Sequence, residues 1–239
     1  MKKTNDFGRD SVPLLVVKTS VPFMLAQLVN VLYSIVDRIY VGNIPVIGAD
    51  SLAGIGVCAP ILTLLSSFGT LIGIGGSVLF SVRLGAGEDK KARQILANSF
   101  SLLLILSALL TAVFLLSKEQ LLRWFGASRD IFPYADTYLT IYTAGTFFAL
   151  LSMGMNYFIT AQGFPGLGML TTLIGAAVNI ALDPVFIFTF HMDIGGAAAA
   201  TVLAQMASCF FVLFTLRRKK MRVPLGLVKP QLYIAKRIV

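Results

Sequence analysis

Apolar residues run along this 239-residue chain in six long stretches, separated by short segments that carry charge, glycine or proline. The stretches cover 14–41, 52–82, 93–117, 135–161, 166–190 and 195–216. A helix needs roughly 20 mostly apolar residues to cross the hydrocarbon core of a bilayer. The pattern therefore predicts an all-α integral membrane protein, a six-helix transmembrane bundle. It divides the chain into a polar terminus (1–13), a six-helix lobe (14–216) and a basic tail (217–239). The breaks have mechanical causes. Asn43, Pro45, Gly48 and Asp50 end the first span, and the charged run Arg83-Leu-Gly-Ala-Gly-Glu-Asp-Lys-Lys-Ala-Arg93 divides the second from the third. The segment 118–133 reads as a partly amphipathic connection that lays Trp124 and Phe125 at the interface. Gln162-Gly-Phe-Pro-Gly166 and His191-Met-Asp-Ile-Gly-Gly196 read as tight turns. The first apolar stretch is longer than a signal h-region and follows a polar start, so it is expected to remain as a span.

Composition agrees and removes alternatives. Only 13% of residues are charged and 56% are hydrophobic, with a mean hydropathy of +0.82, against about 25% charged in soluble domains. A water-soluble globule, a disordered chain, collagen and a disulfide scaffold are all excluded. Cys58 and Cys209 lie inside apolar stretches and read as small buried hydrophobes. The net charge of +9 is unevenly placed. With six spans both termini share one side, and that side collects 16 basic residues against Lys118, Arg123 and Arg129 on the other. The asymmetry places both termini in the cytoplasm and explains the high pI without nucleic acid as a partner. The cluster Arg217-Arg-Lys-Lys-Met-Arg222 also suits anionic lipid.

Two carboxylates fall within spans, Asp37 in the first and Asp183 in the fifth. An ionised Asp at mid-membrane costs about 2.5–3.5 kcal/mol on insertion scales, so an intramembrane carboxylate marks a functional site unless it is paired. Both spans run outward, and both aspartates fall at similar depth in the outer half. Their polar neighbours form stripes. Gln27, Asn30, Ser34 and Asp37 share one helical face, as do Thr172, Asn179 and Asp183. The sixth span returns inward with Thr201, Gln205 and Ser208 on one face, and Thr201 reaches the same depth. Carboxylate, amide and hydroxyl oxygens at one level are the ligands of a hard cation or the members of a proton relay. Amides and hydroxyls in membrane helices also serve as interhelical glue, an alternative that stands for Gln27, Asn30 and Ser208. Arg38 projects about 100° away from Asp37 and is expected to snorkel to the interface. Pro184 frees a carbonyl one turn earlier, near Ile180, and predicts either a packing kink or a bendable helix.

Other chemistry is absent from the pattern. Gly85-Ala-Gly87 follows a helix, so it is no dinucleotide loop, and no phosphate-binding Gly-Lys-Ser/Thr motif occurs. Transport is therefore expected to run on an ion gradient, without a cofactor. Gly69-x-x-x-Gly73 with Gly75-Gly76, and the run from Gly195 to Ala200, predict close helix packing. His191, the single histidine, has no partners at metal spacing, and no nucleophile–base arrangement suggests an enzyme.

Four motifs in order carry a family resemblance. Val36-Asp-Arg-Ile-Tyr-Val-Gly42, Arg83-Leu-Gly-Ala-Gly87, Asn179-Ile-Ala-Leu-Asp-Pro-Val-Phe-Ile-Phe188 and Gly195-Gly-Ala-Ala-Ala-Ala-Thr-Val-Leu-Ala-Gln205 resemble hallmarks of the MATE (multidrug and toxic compound extrusion) family. The likeness is to the bacterial branch that includes DinF-type and MepA-type transporters, and it runs from about Pro13 to Gln205. It implies a secondary antiporter of a bacterial plasma membrane, exporting organic cations and other drugs against Na+ or H+ by alternating access. The implied fold is one lobe of a two-lobe, six-plus-six transporter. Asp37, Asn179, Asp183 and Thr201 match the family's cation-coupling cluster, and Tyr138 and Asn156 match further polar positions, Asn156 lying deeper. The family has two lobes and this sequence shows one, followed by a basic stretch resembling the inter-lobe linker. The expectation is a truncated product, a partial gene model or a fragment that needs a second six-helix lobe. Two other functions fit less of the pattern. A lipid or cell-wall precursor flippase calls for basic residues inside the spans, where only Arg38 stands. A non-transporting lobe that scaffolds a full-length relative has only the missing half in its favour.

Overall fold

The computed structural model describes residues 11–218, 220–226 and 238, and every regular element among them is helical. Residues 1–10, with most of the tail beyond 226, lie outside the described residues. The helices are α1 (Val12–Gly42), α2 (Gly48–Gly85), α3 (Asp89–Trp124), α4 (Phe132–Ala144), α5 (Thr146–Ala161), α6 (Pro165–Pro184) and α7 (Asp193–Arg217). Five are long and apolar enough to span a bilayer, and α4 with α5 makes a sixth span bent by 56°. The chain is thus a multi-pass all-α membrane protein.

Three local departures from the expected helices have clear causes. The first is α3, which continues through Trp124 and absorbs residues assigned above to an interfacial connection. Lys118, Glu119, Gln120, Leu121 and Leu122 are strong helix formers. Leu122 is fully buried, and Arg123 pairs with Glu119 one turn back at 2.8 Å. Trp124 remains 80% exposed at the helix end. The second departure is the break in the fourth span, at Gly145. A Cβ there would lie 2.5 Å from Cγ2 of Val202, so only glycine lets α7 approach the bend. Thr111 of α3 donates to the buried Thr143 carbonyl at 3.4 Å, as a broken helix inside a membrane requires. The third follows Pro184. The proline has no N–H to continue the ladder, and the chain winds on as a π-helical turn, Val185–Thr189, closed by Phe190 N–H donating to Val185 O.

The bundle is organised around α2, α5 and α7. Helix α2 packs on α3 and α5, α5 on α7, and α6 on α7, while α1 lies against α6 on the outside. Small residues set the closest approaches, as the glycine pattern predicted. A Cβ at Gly73 would meet both the Cα and the carbonyl oxygen of Gly154 at 2.9 Å. Phe80 of α2 and Phe158 of α5 fill the space beside this crossing, edge to face at 5.5 Å. At the other end of the bundle Gly196 abuts the backbone of the π turn, and Ala197, Ala198 and Ala200 behind it are fully buried. After α7 the chain folds back on the lobe. Met221 and Val223 are buried, Val223 N–H donates to Gln162 Oε1 at 3.0 Å, and Arg222 pairs with Asp89.

Candidate functional site

Helices α1 and α6 lie side by side, and their C-terminal thirds bring Asp37 and Asp183 together. The two carboxyl groups are within hydrogen-bonding reach of each other. Such a contact between two acids closes only if they share a proton or a cation. Asp183 is fully buried and Asn179, one turn earlier on α6, is nearly so. The Asn179 amide donates to Asp183 Oδ1 at 3.1 Å and reaches Thr201 Oγ1 of α7 at 3.4 Å. Thr201 itself donates to the Ala197 carbonyl at 3.0 Å. The Tyr138 hydroxyl of α4 is within reach of Thr201 and close to Asp37. Asp37, Asn179, Asp183, Thr201 and Tyr138 thus meet at one level, drawn from four helices. Arg38 is exposed.

The oxygens left over define the chemistry. Asp37 Oδ1, Asn179 Oδ1 and Asp183 Oδ2 are buried and accept no hydrogen bond from the described residues. Three buried acceptors in one cluster, without donors among the described residues, fit a hard cation or a proton better than they fit a neutral core.

The remaining predicted polar residues lie elsewhere. A cavity of about 340 Å³ opens beside the carboxylate cluster, where Asn179 and Thr201 line one end, and extends toward the start of α6. Gln27 and Asn30 of α1 line it and hydrogen-bond to each other at 3.3 Å. Gln205 lines it from α7, with its Oε1 unpartnered and Tyr142 within reach. Asn156 stands at the far end, donating to the Gly168 carbonyl at 3.2 Å and accepting from Thr171. It belongs to the cavity wall, not to the carboxylate cluster. Among the described residues no charged side chain lines the cavity.

Tyr33, Tyr142 and Ser66 are the members that pattern reading passed over. Tyr33 is close to both aspartates, and Tyr142 hydrogen-bonds with Ser66 across to α2. Their signal was present: Tyr33 is one turn from Asp37, and Tyr142 one turn from Tyr138. Thr171, the residue bonded to Asn156, is the neighbour of Thr172 that the stripe had singled out.

A bundle of six spans, with an acidic pair between the first and fifth and a cavity beside it, defines a multi-pass helical membrane protein. The MatE family model matches residues 22–185, and the chain belongs to that family. It is 29% identical over 215 residues to the multidrug export protein MepA of Staphylococcus haemolyticus (strain JCSC1435), covering 90% of this chain and 47% of that protein. It is 27% identical to MepA of Staphylococcus aureus (strain MRSA252), covering 88% and 47%. Among solved structures, a MATE protein in the bent conformation aligns with a TM-score of 0.85 at 29% identity, over 94% of this chain and 50% of that one. A MOP superfamily transporter from Pyrococcus furiosus Vc1 (DSM3638), described as having a binding pocket of reverse polarity, aligns at 0.88 and 27% identity, over 99% and 53%. The chain spans about half the length of the curated relatives it matches, and the part matched is one lobe.

Proposed function

We propose that this chain is the ion-coupling lobe of an antiporter that exports small organic compounds, often cationic, against Na+ or H+. The observation that carries the reading is the Asp37–Asp183 contact, with three buried oxygens unpartnered around it. On this reading the coupling ion arrives from outside and binds the acid pair with Asn179 and Thr201. Charge neutralisation removes the repulsion between the two carboxylates, lets them close on each other and shifts α1 against the bundle. The neighbouring cavity, uncharged and partly aromatic, takes part of the substrate. An imposed potential supplies about 2.3 kcal/mol per charge per 100 mV. Alternating access requires a second six-helix lobe opposite α1, whose outer face carries exposed apolar side chains from Val16 to Ile39. The membrane is the bacterial plasma membrane, with both termini in the cytoplasm, in keeping with the charge asymmetry. A cavity without cations does not suit a phosphate-bearing flippase substrate.

The test is gradient-driven export in vesicles carrying this chain together with a second lobe. Asp37→Asn and Asp183→Asn are expected to abolish coupling while the folded protein still inserts. Normal export by both variants would refute the reading.

A further inference from the structure

The face of the bundle where α2 ends and α3 begins carries more cations than its acids can neutralise. The described carboxylates there are both taken. Glu88 accepts from Arg83 at 2.8 Å and from Lys91 at 2.7 Å, and Asp89 pairs with Arg222 at 3.0 Å. The Lys91 and Arg83 hydrogen bonds hold the Glu88 carboxyl below the usual range, so it stays an anion already satisfied. Among the described residues no carboxylate is in ion-pair range of Arg217 or Arg218, the consecutive arginines that close α7.

Their surroundings are those of a lipid contact. Phe210, Phe214 and Arg218 follow at i, i+4 and i+8 on one face of α7, and both rings are about 60% exposed on the outside of the bundle. The Arg218 guanidinium lies 4.4 Å over the Phe214 ring, which fixes it at the boundary of the apolar zone. Beside it Arg217 overhangs a crevice of about 300 Å³, walled by Phe100 of α3 and by Leu225 and Gly226 of the returning tail. Leu225 is held there by its N–H bond to the Leu216 carbonyl at 2.8 Å. Two guanidinium groups with no carboxylate partner among the described residues thus stand above an apolar crevice and an aromatic stripe.

We propose that this corner binds one anionic phospholipid, its phosphate held by Arg217 and Arg218, one acyl chain in the Phe100–Leu225 crevice and the other along Phe214 and Phe210. Guanidinium suits this role because its planar fork meets two phosphate oxygens at once. The site is independent of the ion-coupling reading, since it needs only that the bundle sits in a membrane.

The test is native mass spectrometry of the purified chain in detergent, supplied with phosphatidylglycerol or phosphatidylcholine of identical acyl chains. One phosphatidylglycerol is expected to be retained per chain in preference to phosphatidylcholine. The Arg217→Gln/Arg218→Gln double variant is expected to weaken retention about 25-fold, at roughly fivefold per basic residue. Lys90→Gln/Arg93→Gln removes equal charge from the same face and is expected to change it less than about twofold. Phe214→Leu keeps every charge and an exposed apolar side chain, and is expected to weaken retention several-fold. It keeps the test open if the double variant does not fold. Equal retention of the two lipids, equal loss in the two double variants, or inorganic phosphate displacing phosphatidylglycerol at equal concentration would each overturn the proposal.

Discussion

The α2–α5 seam and the α1–α6 seam are built on opposite plans. Between α2 and α5 the backbones nearly touch at Gly73 and Gly154, and Phe80 and Phe158 close the space beside them. Between α1 and α6 the facing groups are Asp37, Asn179 and Asp183, and the cavity opens beside them. Lipid offers no hydrophobic drive for helix association, so close small-residue packing is what holds one seam shut. The other seam is held by polar groups that remain partly unpartnered. A dry seam can serve only as a frame, whereas a seam with orphaned oxygens changes its contacts whenever an ion arrives.

The largest expected effect comes from breaking the frame. A Cβ at Gly73 meets backbone atoms of Gly154 and the ring of Tyr157 at 2.5 Å, and backbone cannot yield as a side chain can. Gly73→Val is expected to cost about 3 kcal/mol and to remove most monodisperse protein in detergent size-exclusion runs. Gly85→Val, on the same helix with open space around its Cβ, is expected to run as the parent does. If both variants behave alike, the seam is not the frame.

Next in size is the wet seam. Asp183→Asn keeps volume and hydrogen bonding but removes one of two facing charges. Ion affinity is expected to fall about 10–100-fold with the unfolding temperature kept or raised, as removal of like-charge repulsion requires. The readout is sodium or proton binding by calorimetry beside thermal unfolding. A drop in both would mean that Asp183 is structural.

These two seams were not equally legible in the sequence. Gly69-x-x-x-Gly73 announces a close crossing, because glycine spacing is a property of one helix. The stripes Asn30–Asp37 and Asn179–Asp183 likewise place their residues on faces. What one helix cannot show is which faces meet. Asn156, expected deeper than the coupling residues, bonds to Gly168 at the far end of the cavity, a partner that one helix alone does not reveal. The bend at Gly145 was itself invisible in hydropathy, which averages over the one glycine that causes it. Tyr33 and Tyr142 were missed because a tyrosine in an apolar run reads as packing until its hydroxyl has a partner.

A smaller effect tests how finely the wet seam is tuned. Thr201 Oγ1 meets Asn179 and lies within reach of Tyr138. Thr201→Val removes that hydroxyl at constant volume. It is expected to cost about 1 kcal/mol, a roughly fivefold loss of ion affinity, while Thr201→Ser keeps the hydroxyl and most of the affinity. Equal losses in the two variants would assign the effect to packing of the methyl.

The smallest effect belongs to the edge of the frame, where α2 turns into α3. Lys91 and Arg83 hold the Glu88 carboxyl below its usual range. A carboxyl whose folded-state value is depressed contributes stability that is present above its unfolded value and lost as pH falls through the folded one. The parent is therefore expected to lose a small increment of stability on acidification that Glu88→Gln does not lose. The difference between the two thermal-unfolding curves isolates this from the buried aspartates, which both proteins share. Because Glu88 and both partners are solvent-accessible, the increment is also expected to shrink in high salt. An increment that survives salt would mean that the turn, like the carboxylate seam, is shielded from water.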